Sequence, residues 1–201
     1  MKNITLIIIL FIFSSNVFSQ SEIWKMNGKK IITDTLLVDT SNYVFYTNKK
    51  GKTKAIEKTE VFSVTQNKSM RIFYVPDTIS DSFTIVEMHA YLSGMNDGYN
   101  HKSYFFVSGG AIVGLAAPLT FPLVGVSDAI TPIPPALYTA LIAIPKVKED
   151  KIDVPQKYKN DEHYIFGYQT AAKKKRITNT IISSIAGLTI GTVATIFVYS
   201  Y

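Results

Sequence analysis

The chain contains no cysteine, and this absence excludes several classes of protein at once. Without thiols the chain has no disulfide scaffold, no thiolate zinc site, no cysteine nucleophile and no lipid-modified cysteine anchor. Charge is also scarce, because 18% of the 201 residues are charged whereas 47% are apolar. Disordered chains combine low hydrophobicity with high charge, so this composition predicts a folded chain of one or two domains.

Motifs for catalysis are missing as well. The sequence has neither a G-x-S-x-G elbow nor a glycine-rich phosphate loop, and Ser108-Gly109-Gly110 lies inside an apolar run. His89 and His101 are expected on one helix, about 120° apart around its axis, so that they do not converge on a metal. Asp97 and His101 are expected to form an ordinary pair on the helix surface. We therefore expect no enzyme activity, no cofactor and no metal site.

The amino end has the pattern of a targeting segment. Lys2 precedes an unbroken apolar run from Ile4 to Phe13, and Val17 and Ser19 occupy the −3 and −1 positions of a cleavage site. We predict a signal peptide over residues 1–19, so that the mature chain begins outside the cytoplasm. The alternative is an uncleaved anchor helix, but the apolar run is short for a hydrocarbon core of about 30 Å.

A small β module is predicted over residues 20–80, where short apolar runs alternate with turns. Asn27-Gly28 is a two-residue hairpin signal, and a second turn is expected at 48–51. Strands are expected over Lys29–Val38, Asn42–Thr47, Thr53–Glu57, Val61–Thr65 and Met70–Val75. Five or six short antiparallel strands of this kind predict a β-meander or a small half-open barrel.

The same region carries a resemblance to a recurrent module. The matching residues are Lys25-x-Asn27-Gly28-x-x-Ile31, Tyr43-Val44-x-Tyr46, Gly51 and Ile56-x-Lys58-x-x-Val61-Phe62-Ser63-Val64. They resemble a small β module found at the start of many uncharacterised bacterial envelope proteins, often ahead of membrane-embedded or Gly-rich helices. The resemblance covers about a quarter of the chain. It implies an export-linked envelope setting, and it implies no activity and no catalytic residue.

An internal repeat is found when the second half of the chain is shifted by 73 residues without a gap. Tyr91, Gly94, Gly98, Lys102, Gly110, Gly114 and Leu115 fall on Tyr164, Gly167, Ala171, Lys175, Ser183, Gly187 and Leu188. Each unit, 84–127 and 161–201, predicts an amphipathic helix that leads into an apolar transmembrane helix. Asp161-Glu162-His163 predicts an acidic helix start for the second unit.

Both apolar runs are long enough to cross a bilayer. Ser103–Ser127 and Ile177–Tyr201 contain no residue that is charged at pH 7. Each run carries small residues at four-residue spacing, which places them on one helix face and allows close backbone contact. The predicted helix-packing residues are Gly110, Gly114, Ser183, Gly187 and Gly191.

Residues 128–160 form a Pro-containing apolar stretch followed by a charged connector. Its proline-free part, Ala136–Ile144, is too short to cross a bilayer alone. A re-entrant stretch, an interfacial stretch and an irregular third crossing all remain open for this region.

A basic cluster defines the expected membrane boundary. It consists of Lys173, Lys174, Lys175 and Arg176. The positive-inside rule predicts that this cluster is cytoplasmic, with one outward-to-inward crossing at 103–127 and a return crossing at 177–201. The alternative is an anchor to anionic headgroups. The adjoining charge-free run argues against nucleic acid as the partner.

These features predict an α+β protein consisting of a signal peptide, a small antiparallel β module and two Gly-striped helical units. We expect a non-enzymatic bacterial envelope protein whose β module is extracytoplasmic, in the inner membrane or alternatively the outer membrane. The expected partners are the lipid bilayer and either a second copy or another envelope protein. Two alternatives are an oligomeric pore or transport component, with Thr178, Ser184 and Thr192 as its polar stripe, and a secreted soluble protein with buried apolar helices.

Overall fold

A computed structural model describes residues 21–38, 42–48, 50–77, 83–125, 128–149 and 152–199. The protein is α+β, and its chain divides into two compact units, Met1–Ile85 and Val86–Tyr201. The described part of the first unit consists of small antiparallel sheets, and the second unit is helical. The predicted signal peptide over 1–19 lies outside the described residues.

The described part of the first unit contains seven strands. They are β1 (Ser21–Lys25), β2 (Lys30–Thr33), β3 (Leu36–Val38), β4 (Tyr43–Thr47), β5 (Thr53–Glu57), β6 (Val61–Gln66) and β7 (Ser69–Ile72). They form a four-stranded sheet in the order β2-β1-β6-β7 and a three-stranded sheet in the order β3-β4-β5. All neighbouring strands are antiparallel, as predicted. The arrangement is two sheets rather than one meander.

The switch between the two sheets occurs where one continuous strand was predicted. Residues 29–38 divide into β2 and β3, because the chain bends at Asp34-Thr35. The buried Thr33 hydroxyl donates to the Thr47 carbonyl at 2.7 Å, and the Thr47 amide donates to the Thr35 carbonyl at 3.1 Å. These bonds join the end of the first sheet to the second.

Both sheets contribute to one hydrophobic core. The core residues are Ile23, Leu36, Val44, Tyr46, Ile56, Val61 and Val64. On the other side of β6, Phe62 packs edge-on against Trp24 at 5.6 Å between ring centroids. The two predicted hairpin turns form, with Gly28 and Gly51 at φ +78° and +74°, and a third turn joins β6 to β7 with Asn67 and Lys68 at φ +51° and +65°.

The second unit contains four α-helices among its described residues. They are α1 (Ile85–Gly98), α2 (Tyr104–Thr120), α3 (Ile133–Ala143) and α4 (Glu162–Tyr199). Short 3-10 turns lie at Pro122–Val124, Asp128–Ile130 and Gln156–Tyr158. The second repeat forms one continuous helix of 38 residues. The first repeat was predicted to be continuous as well, but it is interrupted between α1 and α2.

Helix boundaries follow local chemistry. Asp161 caps α4, because its Oδ1 accepts hydrogen bonds from the amides of His163 and Tyr164 at 3.0 and 3.2 Å. α3 begins with prolines in its first turn, at Pro134 and Pro135, where a missing amide proton costs no helical hydrogen bond. The proline-rich stretch therefore starts a helix instead of preventing one.

α2 and α4 lie side by side and run in the same direction. Gly110 lies against Ser183 near the start of the contact, and the Thr195 hydroxyl donates to the Pro118 carbonyl at 3.0 Å near its end. α3 returns in the opposite direction, because it follows the end of α2 and the chain after it reaches Arg176. The prediction of two crossings in opposite directions, at 103–127 and 177–201, is therefore wrong for this packing. Two parallel helices of one chain require a segment between them that runs in the opposite direction. α3 is that segment.

Candidate functional site

The contact between the two repeats has local two-fold symmetry. A Cβ added at Gly114 would lie 2.3 Å from the Ser184 carbonyl oxygen, and one added at Gly187 would lie 2.3 Å from the Ala111 carbonyl oxygen. Because 187 is 114 plus 73 and 184 is 111 plus 73, the two contacts exchange under the sequence repeat. Such reciprocal contacts are the property of a two-fold interface. The internal repeat is thus present in the packing of the helices.

The small residues make this contact possible. A Cβ at Gly191 would lie 2.6 Å from the Leu115 carbonyl oxygen, and one at Gly110 would lie 2.7 Å from the Ser183 hydroxyl. Separations below 3.0 Å are too short for a side chain against a backbone atom. The structure places Gly110, Gly114, Ser183, Gly187 and Gly191 together at the α2–α4 contact.

The same close approach extends to α1, where it was not predicted. A Cβ at Gly94 would lie 2.0 Å from the Tyr164 carbonyl oxygen, and one at Gly167 would lie 2.0 Å from the Tyr91 carbonyl oxygen. These four residues are two pairs of the 73-residue repeat. The alignment of the repeat was the signal that could have identified them as contact residues.

Polarity around the α2–α4 contact is the reverse of that in the core of a water-soluble protein. Thr180 and Ser184 are buried in the contact at 0% and 4% exposure. Large apolar side chains point outward, including Phe105, Ile112, Leu137, Leu141, Ile182, Ile185, Ile190, Ile196 and Phe197. Small and hydroxyl-bearing residues between helices, with large apolar residues outside, are typical of helix packing in lipid.

Among the described residues, one helix meets the length and composition required to cross a membrane. It spans Glu162–Val198, and 17% of its most apolar stretch is buried, whereas the core helix of a soluble protein is mostly buried. The other two apolar helices are shorter. α2 has 17 residues and α3 has 11, against about 20 for an untilted crossing. α2 does not extend over the predicted 103–127.

The hydroxyls of α4 do not form a shared polar stripe. Ser184 is buried against α2, whereas Thr178 and Thr192 are exposed. Thr192 donates to the Leu188 carbonyl of its own helix at 2.9 Å, and Thr180 bonds in the same way to Arg176. The packing therefore gives no support to the predicted pore lining.

The basic cluster separates into residues with different environments. Arg176 is buried, its guanidinium donates to the Pro145 carbonyl, and it lies 5.0 Å from the ring centroid of Phe106. It therefore ties α2 and the end of the α3 segment to α4. Lys173 and Lys174 border a cavity, whereas Lys175 is half-buried outside that cavity.

A cluster of tyrosines joins α1 to the first part of α4. The Tyr164 hydroxyl donates to Asp97 Oδ2 at 2.8 Å, and the Tyr168 hydroxyl lies 2.9 Å from His101 Nδ1. Tyr158 stacks on Tyr164 with 4.8 Å between ring centroids. The predicted surface pair of Asp97 and His101 is wrong, because α1 ends at Gly98 and each residue bonds a tyrosine of α4 instead.

Burial shifts the pKa values of two residues in this cluster. Burial, and then the hydrogen bond to Asp97, raises the pKa of Tyr164. Burial, and then the positive charges of Arg176 and Lys175, lowers the pKa of His101. His89 Nδ1 lies 3.2 Å from the Tyr158 hydroxyl of the same cluster, whereas His163 lies near Glu87. Among the described residues, no three His, Asp or Glu side chains are grouped so that they could hold a metal ion.

Comparison of the chain with protein-family models, with curated proteins and with solved structures finds no match. The resemblance of residues 25–64 to an envelope β module remains an expectation from the sequence. The proposals that follow rest on the geometry of this chain.

Proposed function

We propose that this chain is a non-enzymatic membrane protein of the bacterial envelope. The helical unit is embedded in the bilayer, and it tethers the β module, which has an interaction or structural role. The observation that carries this proposal is the reversed polarity around the α2–α4 contact, with Ser184 and Thr180 inside and large apolar residues outside. The length and exposure of α4 support it further.

The parallel packing of α2 and α4 implies a definite sidedness. Both helices would enter the bilayer from the same side, so the basic cluster and the start of α2 share one compartment. Residues 73–84, between β7 and α1, contain one proline, two aspartates and several hydroxyl residues, and no apolar run that could cross. The β module therefore belongs to that same compartment.

This sidedness changes the role of the basic cluster. If the amino end is exported, Lys173, Lys174 and Lys175 lie outside the cytoplasm, where the positive-inside rule does not place them. We propose that they anchor the helix to anionic headgroups, at about 1 kcal/mol for each lysine near the surface. A membrane face that borders the periplasm fits both the exported amino end and this anchor.

Carbonate extraction and protease protection test the proposal. We expect the full chain to stay with the membrane fraction after an alkaline carbonate wash, since exposed apolar helices partition into lipid. Tags placed after Gln20 and after Tyr201 are expected on opposite sides, the first outside the cytoplasm, because α4 crosses once in the direction of α2. Release by carbonate would contradict membrane embedding, and two tags on one side would contradict the parallel crossing.

A further inference from the structure

A cavity of about 430 Å³ lies beside α4 at the point where its charges end. Three lysines, Lys146, Lys173 and Lys174, line it together with the apolar side chains of Phe166 and Ile177. Its volume is within the range of about 300–1,000 Å³ for small-molecule sites. The cavity therefore has both a cationic wall and an apolar wall.

The described residues supply no counterion to the cationic wall. Among the described residues, no carboxylate lines the cavity, and no ion pair involves Lys146, Lys173 or Lys174. Arg176, by contrast, donates a hydrogen bond to the Pro145 carbonyl and contacts the Phe106 ring. Three ammonium groups around one cavity favour an anion of the phosphate class.

The apolar wall continues along α4. Ile177, Ile181 and Ile185 are spaced by four residues, so they form one stripe that leads from the cavity into the charge-free part of the helix. Ile181 and Ile185 are 42% and 58% exposed. A ligand with an anionic head and a hydrocarbon tail would contact the lysines and this stripe at once.

We propose that the cavity binds the headgroup of an anionic phospholipid, whose acyl chain lies along Ile177, Ile181 and Ile185. This inference rests on the membrane embedding proposed above. The phosphate group is the chemistry that the lysines recognise, and the stripe distinguishes a lipid from a free phosphate.

Native mass spectrometry of the full chain in detergent tests this site. Phosphatidylglycerol and phosphatidylcholine are titrated against the protein, and we expect selective retention of phosphatidylglycerol. The triple substitution Lys146→Gln, Lys173→Gln and Lys174→Gln is expected to weaken phosphatidylglycerol binding by about tenfold or more, since each lysine contributes about a factor of five. Single substitutions should each give a smaller step, and Lys→Arg at the three positions should retain binding.

The matched control removes three positive charges outside both the cavity and the basic cluster, by Lys54→Gln, Lys102→Gln and Lys159→Gln. These changes should leave the preference for phosphatidylglycerol within about twofold, because charges outside the site act only through the screened field. Equal losses of phosphatidylglycerol binding in both triple variants would contradict the cavity site, because overall positive charge would then explain the binding.

Two further results would overturn the lipid site. One is equal retention of both lipids by the unaltered protein, and the other is displacement of phosphatidylglycerol by millimolar inorganic phosphate, which would indicate a free-phosphate site. Carbonate extraction separates this failure from that of the proposed function. A chain that stays in the membrane without lipid preference contradicts the cavity proposal alone.

Discussion

Single glycines decide how closely the helices approach. At Gly114 and Gly187 the space that a Cβ would occupy is already taken by a carbonyl oxygen of the facing helix, at 2.3 Å in both cases. Because backbone atoms cannot rotate away as a side chain can, even one methyl group must separate the helices. The energetic role of these residues is therefore steric and does not depend on their flexibility.

Replacement of Gly187 by Ala should destabilise the helical unit by about 2–3 kcal/mol, the upper part of the usual overpacking range. Thermal unfolding of the detergent-solubilised chain, followed by circular dichroism, measures this loss. Ala186→Leu is the control. Ala186 is exposed on the same helix, so this substitution adds side-chain volume where no backbone of another helix faces it. An equal effect at both positions would contradict the close contact at Gly187.

The His101 imidazole makes the stability of the same unit pH-dependent. Its pKa is lowered from 6.5 in the folded chain, first by burial, so the folded state favours the neutral ring. This contribution is fully present above pH 6.5 and is lost as the pH falls through the lowered pKa, because the unfolded chain takes up the proton first.

We expect the unfolding temperature to fall between pH 7.5 and pH 5, and to fall less in the variant His101→Gln. Gln can still bond the Tyr168 hydroxyl but does not titrate. Thermal unfolding of both proteins at the two pH values checks this. The same fall in both proteins would assign the pH dependence to other groups.

At the scale of elements, hydrogen bonds at the ends of strands and helices set the boundaries. Thr33 ends β2 and bonds the last residue of β4, so its hydroxyl joins the two sheets. Asp161 starts α4 in the same way, by accepting two amide protons of its first turn. Boundaries of this kind depend on one side chain and can be tested one at a time.

Thr33→Val should lower the free energy of unfolding of the β module by about 1–2 kcal/mol, because the Thr47 carbonyl loses a buried donor. The chain has one tryptophan, Trp24, which is buried in this module, so its fluorescence in urea reports on this unit. Thr59→Val is the control, since the Thr59 hydroxyl is exposed. A loss no larger than that of the control would mean that Thr33 does not join the sheets.

At the scale of the whole molecule, the repeat produces a parallel pair of helical segments, and α3 runs in the opposite direction between them. α4 is one continuous helix, whereas its counterpart is interrupted between α1 and α2. The glycine contacts keep the same order along both segments, from Gly94 with Tyr164 to Gly191 with Leu115. Only a parallel arrangement preserves this order.

Introduced cysteines can report this arrangement without background, because the chain has none of its own. The pair Gly110→Cys and Ser183→Cys should form a disulfide on mild oxidation, since a Cβ at Gly110 lies 2.7 Å from the Ser183 hydroxyl. The pair Gly110→Cys and Thr195→Cys should not, because Thr195 lies at Pro118. Mass spectrometry of linked peptides measures both pairs, and linkage in the second pair alone would contradict parallel packing.

Local features were readable from the sequence, and the structure contains many of them. The turns at Gly28 and Gly51, strands near the predicted positions and the long apolar helix α4 follow from short-range patterns of backbone freedom and hydropathy. The repeat was also visible, because it needs only a comparison of the chain with itself. The signal peptide, the envelope location and the absence of enzyme activity stay predictions.

By itself, then, the sequence determined which segments are strands, turns and apolar helices, since those preferences act over a few neighbouring residues. The tertiary structure decided the direction in which the helices pack, because a stripe of small residues permits parallel and antiparallel approach alike. It also decided that Asp97 pairs with Tyr164 and not with His101, across 67 residues of chain. Contacts of that range depend on the whole fold, and no local pattern encodes them.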